Sequence, residues 1–119
     1  MLIDNLFDIK PIEKIEDKLI TTVRINASNS IFEGHFPNNP VTPGVIQIQL
    51  IKEILELHYK KSVKMESIGR CKFLAILNPT NTPIITVEVS VKEIENTLKI
   101  NAVGKDNTTS YFKFSAVYS

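Results

Sequence analysis

What this sequence lacks narrows its class before any motif is read. There is no tryptophan and a single cysteine, Cys71, so no internal disulfide can form and packing must hold the fold. Fourteen basic residues stand against 13 acidic ones, a formal net charge of +1. That balance points to neither nucleic acid nor an anionic membrane as the main partner. No apolar run approaches the ~20 residues that span a bilayer, and the start, MLIDNLFDIK, carries neither a basic leader nor a long apolar core. A cytoplasmic chain is expected. Only 4 glycines and 6 prolines are present, which together with 43% hydrophobic residues argues against disorder. At 119 residues the chain has the length of one domain, and 1–119 is read as a single domain.

The scarce punctuation is concentrated in residues 32–49, FEGHFPNNPVTPGVIQIQ, which hold Gly34, Gly44, Pro37, Pro40, Pro43 and His35. On its N-terminal side, LIDNLFDI suggests one or two helical turns or an irregular lead-in. Residues 11–16 and 18–25 alternate apolar and polar positions about Asp17 and predict a hairpin. The run TPGVIQIQLIKEILELH, from Thr42 to about His58, is apolar most of the way round and predicts one long helix wrapped by the rest of the protein. Thr42 is the expected N-cap, with Pro43 at the first helical position. Beyond it, 64–77, 83–93, 97–103 and 109–118 are rich in β-branched and aromatic residues, separated by turn signals at NPTNTP, IEN and GKDN. Consecutive antiparallel pairing is the simplest topology. The fold class is therefore α+β, a curved antiparallel sheet around one central helix.

A helix start presents unpaired amide N–H groups and the positive end of the macrodipole, which suits it to a carbonyl oxygen or an anion. Gly44 would let a ligand approach that backbone. The three prolines stiffen the loop that carries His35. On these grounds alone a lone histidine reads more readily as a packed or surface residue than as a catalyst. His58 reads as a residue suited to a helix C-terminus, Cys71 as a small core or strand residue, and YKKSVK (residues 59–64) as a solvated turn.

The stretch GHFPNNPVTPGVIQIQ resembles the signature of the 3-hydroxyacyl-[acyl-carrier-protein] dehydratases of the hotdog fold, with His35, Pro37, Pro40, Pro43, Gly44 and Val45 on matching positions. RCKFLAILNPTNTPIITVEV resembles the same family more weakly, so the likeness spans roughly residues 7 to 118. Two departures are Asn38, where the family usually has glycine, and PTN at 79–81 in place of PGD. The resemblance implies that His35 removes the α-proton of a 3-hydroxyacyl thioester. It also implies that the Gly44 amide, with Val45, polarises the thioester carbonyl, and that Phe36 and Pro43 contact the substrate.

The family's second catalytic residue is an acid on the helix, fourteen positions after the histidine, and here Gln49 stands in its place. An amide can orient a hydroxyl but cannot protonate it, and a positioned general acid is typically worth about 10²- to 10⁴-fold. Glu53, one turn along, is about 6 Å further down the axis, too far for direct replacement. Glu33 reads as a solvated loop carboxylate. The implied activity is thus a dehydratase of fatty-acid or polyene-type biosynthesis. The alternatives are an impaired acyl-binding or heteromeric hotdog subunit, or an acyl thioesterase on the same fold.

The partners implied are an acyl carrier protein or acyl-CoA, with a homodimer or larger assembly of dimers enclosing an acyl tunnel. Lys60, Lys61, Lys64, Arg70 and Lys72 are the basic cluster nominated to meet the carrier. No metal or organic cofactor is implied, since two histidines and one cysteine far apart make no ligand set.

Overall fold

The computed structural model describes residues 6–32 and 41–119. Seven strands and one helix follow in the order β1 (Phe7–Ile9), β2 (Glu13–Ile15), β3 (Lys18–Ile25), α1 (Gly44–Tyr59), β4 (Met65–Phe73), β5 (Ile84–Ile94), β6 (Thr97–Lys105) and β7 (Ser110–Tyr118). All strand pairings are antiparallel. The α+β class is as expected.

The alternation read from the sequence becomes two faces of one sheet. Leu19, Val23 and Ile25 of β3, Ile85, Val87 and Val89 of β5, and Phe112 and Phe114 of β7 point inward, where they share one core with Leu50, Ile51, Ile54 and Leu55 of α1. Burial of such side chains stabilises by about 1.5–3 kcal/mol each relative to exposure. The hairpin at Asp17 is present: Ile15 faces Lys18 across a two-residue turn, with Glu16 at a φ of 57°. Among the described residues no helix is long and apolar enough to cross a membrane.

Three expectations are corrected. Residues 7–9 form a strand rather than helical turns, because Phe7 pairs with Ile25 and is buried there. Short local periodicity gives way to an available sheet edge. Strand order is β1-β3-β5-β6-β7-β4, with β2 paired to β3, so β4 joins β7 at the far edge instead of its neighbour β5. The reason lies in burial: β5, with the strongest apolar alternation, takes the sheet interior, whereas β4 is exposed or half-buried throughout and suits an edge. Cys71 lies on that strand, as one of its two readings had it, with its side chain exposed. Lastly, Pro43 and not Thr42 occupies the N-cap position, with φ −60° and ψ 149°, and the helix begins at Gly44. Thr42 is held in the preceding segment, where its N–H donates to the Leu77 carbonyl at 2.9 Å.

Candidate active site

Two chain segments meet at the start of α1. One is Val41–Gly44; the other is Phe73–Leu77, which leaves the end of β4. The Thr42–Leu77 hydrogen bond joins them, and Leu74 N–H donates to the Tyr111 carbonyl at 2.8 Å, fixing the second segment to β7. Between the segments lies a cleft of about 420 Å³ lined by Pro43, Gly44, Gln47, Phe73, Ile76 and their neighbours. Its walls are largely apolar, and its floor is the helix start.

That helix start has no side-chain cap hydrogen bond and no acidic residue in its first turn. The N–H groups of Ile46 and Gln47 both reach the Pro43 carbonyl, at 3.0 and 3.2 Å. Gly44 and Val45 precede them, at positions where amides lack an intrahelical acceptor. Among the described residues no side-chain cap or acid meets the positive end of the helix, which borders the cleft. Gly44 is required for a reason the sequence did not show: a Cβ there would lie 2.5 Å from Cζ of Phe73. The glycine admits the Phe73 ring onto the helix, so the space expected to receive a ligand is roofed by an aromatic side chain of the protein itself.

Gln47 shapes the same corner. Its Nε2 donates to the Thr42 carbonyl at 2.9 Å, bracing the turn into the helix. Its Oε1 and the Thr42 hydroxyl are buried with no hydrogen-bond partner among the described residues, an arrangement that costs about 1–3 kcal/mol per unpaired group. Sequence reasoning passed over Gln47, Phe73 and Leu77. The available signals were a glutamine on the apolar face of α1 and the phenylalanine ending β4.

The other nominated residues divide as follows. His35 and Phe36 lie outside the described residues, as do Glu33, Pro37, Asn38 and Pro40. Val45 is 72% exposed on the first turn. Gln49 is half-buried. Glu53 is buried, one of its carboxyl oxygens has no partner, and burial, with a smaller contribution from Glu56, raises its pKa above the ordinary carboxylate value. The basic cluster does not hold together: Lys64 N–H bonds to Ser119 at one end of β4, while Arg70 and Lys72 lie near its other end. An extended strand separates residues 64 and 72 by about 26 Å.

Residues 11–113 match the model of the ApeI-like family, described as ApeI dehydratase. The chain belongs to the ApeI-like dehydratase family. Curated relatives agree. A FabZ 3-hydroxyacyl-[acyl-carrier-protein] dehydratase of Caulobacter sp. (strain K31) is 31% identical over 98% of this chain and 66% of its own length. The FabZ of Lactiplantibacillus plantarum is 28% identical over 80% of this chain and 72% of its length. The chain thus spans just under two thirds of the first of these. Among solved structures, the ApeI:P dehydratase heterocomplex of Xenorhabdus doucetiae superposes with a TM-score of 0.72 at 18% identity, covering 93% of this chain and 96% of that one. At that identity the superposition speaks for the fold, which is the hotdog arrangement of the ApeI-like proteins.

Proposed function

We propose that this protein dehydrates 3-hydroxyacyl thioesters carried on an acyl carrier protein, in fatty-acid or polyene-type biosynthesis. The carrying observation is the uncapped start of α1 facing an apolar cleft, in a chain of the ApeI-like dehydratase family. In this reading the thioester carbonyl accepts from the Gly44 amide, with Val45 beside it. Charge that develops on that oxygen as the α-proton leaves is met by the helix dipole and by N–H groups already oriented. His35 takes the α-proton. The C–O bond to the 3-hydroxyl then breaks, forming the double bond, and the departing hydroxide takes the proton from His35, leaving as water and returning the imidazole to its neutral form. Pro43 and Phe36 contact the acyl chain.

Gln49 is the weak point of the cycle, because its amide can hold the hydroxyl but has no proton to give at neutral pH. The half-buried amide favours a second reading, in which the chain is a hotdog subunit whose active partner is another chain of the same fold. The ApeI:P structure of Xenorhabdus doucetiae is a dehydratase heterocomplex. Either way a partner subunit is expected at the cleft. Phe73, Leu74 and Ile76 leave about half or more of their surface exposed along it. A patch of this kind on a monomer marks an interface.

The test is a dehydration assay on 3-hydroxyacyl carrier protein with wild type, His35→Ala and Gln49→Glu side by side. The dehydratase reading expects turnover that His35→Ala removes and Gln49→Glu raises. An inactive wild type that Gln49→Glu leaves inactive would sink it. Activity that returns only on adding a second hotdog chain supports the subunit reading, whereas hydrolysis of acyl-CoA without dehydration indicates a thioesterase.

A further inference from the structure

The near-zero net charge conceals a strong segregation. On the face of the sheet turned away from α1, Lys72 of β4 stands directly opposite Lys113 of β7, and Lys92 of β5 directly opposite Lys99 of β6. Like charges at facing positions of an antiparallel pair are destabilising. Neither pair has an acidic partner among the ion pairs of the described residues; Glu88, an acid that lines the same groove as Lys72 and Lys113, is bonded to Lys18 at 3.2 Å and to Lys105. Both facing pairs thus cost stability in the isolated chain with no compensating contact within it.

The two pairs share one trough. A groove of about 320 Å³ holds Lys72, Lys113 and Arg70, and the adjoining groove of about 360 Å³ holds Lys92 and Lys99. Asn101 and Ser115 line both, so the two are continuous. Along β6, Lys99 and Val103, the residue facing Lys113, are separated by about 14 Å. One phosphate cannot satisfy both pairs, but carboxylates seven or eleven residues apart lie on one face of an α-helix, about 10 to 17 Å apart at 1.5 Å per residue, and bracket the spacing within the reach of lysine side chains. Nucleic acid is disfavoured because the trough offers no exposed aromatic ring for base stacking, its Phe114 being part of the core. A concave trough also suits protruding acidic side chains better than a flat bilayer.

We propose that this outer face is the surface on which an acidic carrier protein docks, through a helix whose carboxylates engage the Lys72–Lys113 and Lys92–Lys99 pairs. The occupant rests on the carrier-delivered reading above; the face itself rests on its own charges. β4 links the two regions, since Lys72 adjoins Phe73, which covers Gly44 at the cleft.

The experiment measures binding of purified 3-hydroxyacyl carrier protein by fluorescence anisotropy for wild type, Lys72→Glu/Lys113→Glu and Lys92→Glu/Lys99→Glu, alongside turnover of a short N-acetylcysteamine thioester that lacks the carrier. Each reversal keeps a like-charged facing pair, so folding, checked by thermal melting, should change little. Docking here expects affinity to fall at least tenfold in each double variant, the wild-type affinity to drop with added salt, and turnover of the short thioester to stay within twofold of wild type. Carrier affinity equal in wild type and both variants overturns the proposal. So does absence of carrier binding, including the case where phosphatidylserine vesicles or duplex DNA bind in its place with the same lysine dependence. If the wild type turns over neither thioester yet binds the carrier through these lysines, the docking surface stands and the dehydratase reading falls.

Discussion

The two ends of α1 are built in opposite ways. At the C-terminal end the chain is tied back onto the helix: Lys60 adopts the left-handed conformation, φ 55° and ψ 41°, and its N–H returns to the Glu56 carbonyl. The Glu56 side chain accepts from Val63 N–H at 2.9 Å, and His58 sits in the last turn edge-on to Tyr59. At the N-terminal end there is no side-chain cap bond, and two buried polar atoms, on Thr42 and Gln47, go without partners among the described residues. A rigid scaffold closes the end that only needs to be stable. The other end is the one whose dipole and amides would, on the proposed reading, meet the thioester carbonyl.

Substitutions can break this contrast, and the largest effect should be one that strikes both ends alike. Ile51 is fully buried midway along the helix, so Ile51→Ala should cost about 2–5 kcal/mol, read by urea denaturation. Gly44→Val acts on the open end. Its Cβ cannot coexist with the Phe73 ring as placed, and because that ring is about half exposed it can swing away. Stability should fall by only about 1–3 kcal/mol for the overpacked contact, while turnover drops on the order of 10²-fold from misplacement of the first-turn amides. An unchanged rate in Gly44→Val would separate the helix start from the chemistry. Glu56→Ala removes one hydrogen bond at the closed end and should cost about 1 kcal/mol with no effect on turnover.

The smallest effects separate two carboxylates by the sign of their pH dependence. Asp106 accepts from Tyr111 Oη and from the N–H groups of Thr108 and Thr109, and these bonds, Tyr111 first, hold its pKa down to about 2 from 3.8. Its stabilisation is present above the ordinary value and is lost as pH falls from about 4 toward 2. Glu53 is shifted upward by burial, so its charged form is the costly one, and its contribution falls as pH rises through the raised value. Glu53→Gln should therefore raise the melting temperature at pH 7 with the gain fading in acid. Asp106→Asn should lower it at pH 7 with the deficit fading in acid. Parallel slopes for the two variants would refute the assigned directions.

The helix, β3 and the last three strands were legible because each carries its own periodicity over about seven residues or more, and the hairpin at Asp17 because a turn residue divides two alternating runs. β1 was not, since three residues make no period and Phe7 is fixed by its partner Ile25. At the candidate site the sequence pointed to Gly44, Val45 and Pro43 through proline and glycine spacing and a family resemblance. It was silent on Phe73 and Leu77, which lie some thirty residues away and reach the helix start only because β4 pairs with β7.

By itself, then, the sequence determined the fold class, the position of the helix and the absence of an acid at Gln49, all properties of local pattern and residue type. Tertiary structure alone decided that β4 runs at the sheet edge, that Phe73 roofs Gly44, that Gln47 braces Thr42, and that lysines distant along the chain face one another. Pairing register is a long-range choice: it is set by which strands bury the most apolar surface together, and no local stretch records it.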